Sequence, residues 1–218
     1  MNVSKKKQWG GLAALLLLAC AATSGAQLVV VAEEAGVGPE SVEISDHYVF
    51  NTSERVDGAT ILIRNFRDQV VEAAISTRAL EPEVAYSIWW AVFNRPQYCV
   101  TPGHCGLIDL EVNGGDPRVR VSVFWAGGFV ADDFGTANLS LRLVPGRTTR
   151  ELFANSRNYG LIDLRRAELH LVLRTHGPAG LAGTVGEQIG TANLACPPGG
   201  CANVFSSIHR FGESVIDP

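Results

Sequence analysis

Three histidines and four cysteines carry the side chains most able to do chemistry. His170 and His176 bracket the string Leu-Val-Leu-Arg-Thr, and His209 follows near the C-terminal end. Imidazoles bind metals and exchange protons near neutral pH. Cys99-Val-Thr-Pro-Gly-His-Cys105 and Cys196-Pro-Pro-Gly-Gly-Cys201 could hold zinc as thiolates or close as disulfides. Spacing separates these options. His170 and His176 share one face of a strand, but six residues of strand span about 20 Å, too far for one ion. Each would need partners from elsewhere, such as His209 or His104. Each cysteine pair straddles a Pro/Gly turn that brings its Cβ atoms together, and closing so short a loop contributes roughly 2 kcal/mol. Structural zinc favours shorter spacings than that of Cys99 and Cys105, and a reducing compartment. Two local disulfides are therefore expected, although four cysteines allow two other pairings. His104, beside Cys105, reads as an exposed turn residue.

Trp89 and Trp90 are the other residues of interest. Neighbours on a strand point to opposite faces, so Ile88, Trp90 and Val92 share one face and Trp89, Ala91 and Phe93 the other. Either a loop or helix covers the second face, or an indole is offered to a ligand, as in sandwich proteins that hold sugars or other proteins. Trp89 and Trp90 are the ligand-binding candidates. Enzyme signatures are absent: there is no Gly-x-Ser-x-Gly elbow, His-Glu-x-x-His helix, phosphate loop or dinucleotide fingerprint. No catalytic residue and no cofactor are assigned. Asp109, Asp163 and Asp132-Asp133 read as turn and strand-end hydrogen-bonders.

The fifth cysteine, Cys20, belongs to the N-terminal segment. Lys5-Lys6-Lys7 precedes an apolar run at 12–19 too short to span a bilayer, the pattern of an export signal. Leu17-Leu18-Ala19-Cys20 fits a lipobox, with a signal of 1–19 and a lipidated Cys20. Ser24-Gly25-Ala26 fits signal-peptidase cleavage after residue 26, leaving a single β-rich domain at 27–218. No later segment is long and apolar enough for a membrane helix, so any membrane tie is a lipid anchor. Removing 1–26 takes three of the 18 basic residues and leaves 15 against 22 acidic, a net charge of −7 with arginine the sole base type. An acidic chain without a basic run argues against nucleic acid or an anionic membrane as partner, since both attract clustered cations. About 190 residues suffice for one sizeable core.

Those residues are positioned by strands. Val119, Val121, Val123 and Trp125 alternate with Arg118, Arg120, Ser122 and Phe124, as do Leu139, Leu141 and Leu143 with Ser140 and Arg142. With Gly127-Gly128 and Asp132-Asp133-Phe134-Gly135 between them, these two segments are expected to form a hairpin. Ala167, Leu169, Leu171 and Leu173 mark a further strand, and 28–32, 42–50, 60–64, 86–93 and 204–211 complete the set. Residues 70–77 fit strand or helix, and 149–155 a short helix. Gly106-Leu-Ile-Asp-Leu110 recurs at Gly160–Leu164 and Gly135-Thr-Ala-Asn-Leu139 at Gly190–Leu194, which suggests a duplicated strand–hairpin unit. The expected fold is all-β: an antiparallel β-sandwich or a partly open barrel with local disulfides.

The run Tyr86-Ser-Ile-Trp-Trp-Ala-Val-Phe-Asn94, the string Ala167–Ala179 and the closing Cys201-Ala-Asn-Val resemble a set of uncharacterised exported microbial β-rich proteins. His170 to Ala179 also resembles the histidine–Gly-Pro segment of chordin-like (CHRD) extracellular domains, although several more residues separate the two histidines in this chain. The resemblance implies an extracellular β-fold and imports no functional residue. The expectation is an exported, disulfide-stabilised protein, secreted, periplasmic or lipid-anchored, that binds an extracellular protein or glycan. The alternative is a secreted metal-binding protein or enzyme using His170, His176 and His209.

Overall fold

The computed structural model describes residues 30–32, 40–146, 152 and 158–211. The export signal expected at the N-terminus, Cys20 and, apart from residue 152, the short helix expected at 149–155 lie outside them. Nine antiparallel strands form one sheet: β1 (Val30–Ala32), β2 (Glu40–Val49), β3 (Arg55–Asn65), β4 (Val70–Thr77), β5 (Val84–Phe93), β6 (Val121–Val130), β7 (Ala137–Leu143), β8 (Glu168–Pro178) and β9 (Ala202–His209). Their order is β6-β5-β8-β9-β2-β3-β4-β7, with β1 paired to β2 off this path. The end strands return toward each other. A Cβ on Gly127 of β6 would stand 2.9 Å from Leu141 Cδ2 of β7. The sheet is thus a nearly closed barrel, not a sandwich, with one short helix among the described residues, α1 (Val185–Gly190), capped by Thr184 and Glu187.

Alternation explains most of the strands. In β4, Val71, Ala73, Ile75 and Thr77 are buried while Glu72, Ala74 and Ser76 are exposed, which settles residues 70–77 as strand. The expected hairpin between β6 and β7 does not form: β6 pairs with β5 and β7 with β4, and Gly127-Gly128 lie inside β6. Burial supplies the reason. Val121 to Phe124 are buried on both faces, so β6 needs a neighbour that is apolar on both sides, and β5 is buried throughout. By contrast, β7 is polar outside and matches β4 there, with Glu72 opposite Arg142 and Ser76 Oγ donating to Asn138 Oδ1 at 2.8 Å.

The repeated strings do not adopt equivalent structures. Residues 107–109 form a 3-10 turn outside the barrel, whereas Leu161 and Leu164 pack in its core. Gly135 leads into β7, whereas Gly190 ends α1. What the copies share is turn chemistry: Asp109 accepts from Gly106 N–H and Asp163 from Arg165 N–H, both at 2.8 Å.

One glycine pins the turn before β7. Gly135 has φ 68°, its carbonyl accepts from Leu80 N–H at 3.1 Å, and an added Cβ would overlap the Leu80 carbonyl. Gly135→Ala is expected to destabilise the protein by about 1–3 kcal/mol, from left-handed strain plus the overlap with the Leu80 backbone. Urea unfolding measures it, and a change under about 0.5 kcal/mol would contradict this role.

The barrel interior holds both apolar and polar side chains. Trp90, Ile88, Val92, Leu62, Leu169 and Leu171 belong to the apolar part. Beside them on the inward faces, Glu43, Ser45 and His47 of β2, Thr60 and Arg64 of β3, and Ser207 and His209 of β9 are all buried, with Ser207 and His209 paired to Leu171 and Leu169. Backbone pairing between β2 and β9 is confined to Tyr48↔Ser206 and Val49↔Phe205. Side chains finish the seam: Ser45 Oγ accepts from Ile208 N–H at 3.2 Å, and Arg64 Nη2 donates to the His209 carbonyl at 3.3 Å.

Candidate functional site

The outer face of β5, β6 and β8 carries a second apolar cluster. Trp89, Ala91 and Phe93 of β5 and Val121 and Val123 of β6 pack with Cys99, Cys105, Leu110, Val119 and Ala192. The cover is the excursion between β5 and β6, four 3-10 turns closed by the Cys99–Cys105 disulfide. Coverage, not display, is therefore the fate of the second face. Trp89 is 5 % exposed and Trp90 1 %, so neither indole offers an open ring to solvent. Trp90 lies in the barrel interior, and Trp89 donates from Nε1 to Ser87 Oγ at 2.9 Å.

The cover stops short of β9 and β2, and leaves a groove of about 1170 Å³ along the outer face. Trp89, Ala91, Phe93, Val123 and Val172 floor it, and Tyr48, Phe50, His104, Leu107, Asn193 and Asn203 stand at its sides. Strand alternation places Glu168, His170, Val172 and Arg174 of β8 on this face, because Leu169, Leu171 and Leu173 point into the barrel. At one end, the buried Glu168 carboxylate takes His170 Nε2 at 2.7 Å and Cys105 N–H at 3.1 Å, with Arg210 Nε 3.4 Å away. The disulfide loop thereby holds Glu168, and Glu168 orients the His170 ring against Phe93, their centroids 4.9 Å apart.

Arg174 stands further along the same groove. Its Nε donates to the Ala192 carbonyl at 2.7 Å, Nη1 to Asn203 Oδ1 at 2.8 Å and Nη2 to Asn193 Oδ1 at 3.0 Å. All three acceptors are neutral, and burial pulls the guanidinium below its ordinary pKa. Sequence reading passed over Glu168 and Arg174, although their alternation with the inward leucines was the signal that puts them beside His170.

The three candidate metal histidines are not brought together. His170 faces the groove, and His209 lies inside the barrel with Nε2 3.3 Å from Ser207 Oγ. His176, fully buried, sits between Ser87 Oγ (2.8 Å from Nε2) and Cys201 Sγ (3.0 Å from Nδ1). Among the described residues, no group of three ligand atoms includes two of these histidines. Burial lowers the pKa of His176 and pushes that of His209 well down, the Arg64 charge adding to the latter. Both expected cysteine pairs are disulfides, with Cα atoms 5.4 Å apart for Cys99–Cys105 and 5.1 Å for Cys196–Cys201. No helix among the described residues is long and apolar enough to cross a membrane. No protein-family model matches this chain, and no curated protein or solved structure is detectably similar to it.

Proposed function

We propose that this chain is an exported, disulfide-stabilised barrel that acts by binding in its outer groove, and that the ligand is an amphiphile with an apolar body and an acidic group. Arg174 is the observation that carries this reading. It lines the groove beside an apolar floor, and it donates to neutral acceptors, the Ala192 carbonyl and the Asn203 and Asn193 side chains. A cation held in place by neutral groups keeps its charge for an incoming anion, and a concave apolar site with few polar groups is the usual form of a small-molecule pocket. Covered indoles weigh against a glycan stacked on an open ring and in favour of an apolar ligand reaching Val172 and Phe93. Export rests on Lys5-Lys6-Lys7 with the apolar run after it, and on two disulfides, which persist in oxidising compartments. Kinship with chordin-like extracellular domains rests on the His170–Ala179 segment alone.

A fluorescent long-chain carboxylate tests the reading directly. Saturable binding is expected, with the matching long-chain alcohol at least about tenfold weaker, since a charge-assisted hydrogen bond contributes about 1.5–3 kcal/mol. Arg174→Met should remove that preference, and Val172→Phe should weaken both ligands by narrowing the floor. Equal affinity for acid and alcohol, or no saturable uptake, would refute the assignment.

A further inference from the structure

We infer that Cys196, Cys201 and His176 form a soft-metal site that is closed as a disulfide and opens on reduction by a dithiol. Their ligand atoms lie within 4.8 Å of one another. His176 is fully buried and aims Nδ1 at Cys201 Sγ, 3.0 Å away. Its other nitrogen is held 2.8 Å from Ser87 Oγ, which in turn accepts from Trp89 Nε1 at 2.9 Å. One ring nitrogen toward the ligand position and the other on an orienting partner is the arrangement of a metal-binding histidine. The four residues between the two cysteines match the spacing of structural zinc ligands. Gly200 N–H donates to the Pro197 carbonyl at 2.9 Å, so a backbone bond independent of the sulfurs also pins the turn.

The other cysteine pair lacks these properties. Cys99 and Cys105 are 4 % and 5 % exposed, whereas Cys196 and Cys201 are half-buried and within reach of a reductant. The Asp109 carboxylate near the first pair already accepts from Val100 N–H at 2.7 Å and Gly106 N–H at 2.8 Å, which makes it a loop cap.

The chemistry balances. A dithiol delivers two electrons and two protons, the Cys196–Cys201 S–S bond breaks to two thiols, and the dithiol closes to its own disulfide. A divalent ion then takes both sulfurs as thiolates, releasing two protons, together with Nδ1 of the neutral imidazole, whose proton sits on Nε2 against Ser87 Oγ. These three ligands leave the fourth tetrahedral position to water or an outside ligand.

Cobalt(II) titration of the whole protein, reduced with a phosphine that competes poorly for the ion, reads the site out. One equivalent should bind with thiolate-to-cobalt charge-transfer absorption, zinc should displace it, and the oxidised protein should bind none. The Cys196→Ser/Cys201→Ser variant should lose the absorption, Cys99→Ser/Cys105→Ser should keep it, and His176→Ala should bind at least about tenfold more weakly. The inference fails if the reduced protein shows no charge-transfer band, or if the band depends on Cys99 and Cys105. It fails equally if His176→Ala folds and binds cobalt as tightly as the parent. None of these outcomes bears on the groove.

Discussion

Replacing Arg64 with methionine is expected to lower stability by about 3–5 kcal/mol, the range for breaking a buried ion pair from one side. Arg64 has no exposed surface, and every one of its donors is used. Nε and Nη2 donate to the Glu43 carboxylate at 2.7 and 3.3 Å, Nη1 to the carbonyls of Leu164 and Ala167 at 2.7 and 2.8 Å, and Nη2 also to that of His209 at 3.3 Å. Its removal strands a buried carboxylate and three carbonyls together, and each unmade bond costs its full desolvation. The double variant Glu43→Leu/Arg64→Met should recover only part of the loss. The charge is then gone, but the carbonyls at Leu164, Ala167 and His209 still lack a donor. Urea unfolding of the two single variants and the double gives the coupling. A loss under about 1 kcal/mol for Arg64→Met, or complete recovery in the double, would contradict a backbone-bridging role for the guanidinium.

Acid should destabilise this fold between pH 6.5 and 4 through the histidines of the barrel interior. Burial lowers the pKa of His47 from 6.5 to about 4, and pushes that of His209 well down. His47 stacks on Phe205 with centroids 4.5 Å apart, holds Nε2 2.9 Å from Thr60 Oγ1, and has a buried Nδ1 without a partner. A Cβ at Gly58 would stand 2.6 Å from that Nδ1, so the glycine makes room for the ring. The sign follows from linkage. Above pH 6.5 the ring is neutral folded and unfolded, and pH has no effect through it. Below 6.5 the unfolded chain takes up a proton that the folded protein refuses, so stability falls until the folded pKa is passed. The loss from His47 alone reaches about 3 kcal/mol. His47→Gln, which cannot protonate, should lose correspondingly less between pH 7 and 4. NMR titration should find the His47 and His209 rings still neutral at pH 5.5. Protonation of His47 near its ordinary value, or identical pH profiles for parent and variant, would remove it as the source.

Local physics accounts for what could be read without coordinates. A period of two is a property of a strand by itself, so the strands at 86–93 and 204–211 and the alternation of 167–173 were all legible. The two apolar faces of β5 were legible for the same reason, but whether the second is covered or offers an indole to a ligand was not. Cys99–Cys105 and Cys196–Cys201 could be paired because a Pro/Gly turn joins their Cβ atoms whatever the rest of the chain does. Which strands become neighbours is not local. Residues 121–130 and 137–143 looked like a hairpin through their intervening turn, yet burial on both faces sends β6 to β5 and single-sided burial sends β7 to β4. Glu168, His170 and Arg174 shared a face in the sequence, but the groove exists only because the cover between β5 and β6 ends before β9. Arg64 is the extreme case. Nothing near it in the chain tells an arginine to point inward, because its acceptors stand 21, 100, 103 and 145 residues away. A buried charge is tolerable only when all its partners arrive together, and only barrel closure delivers them.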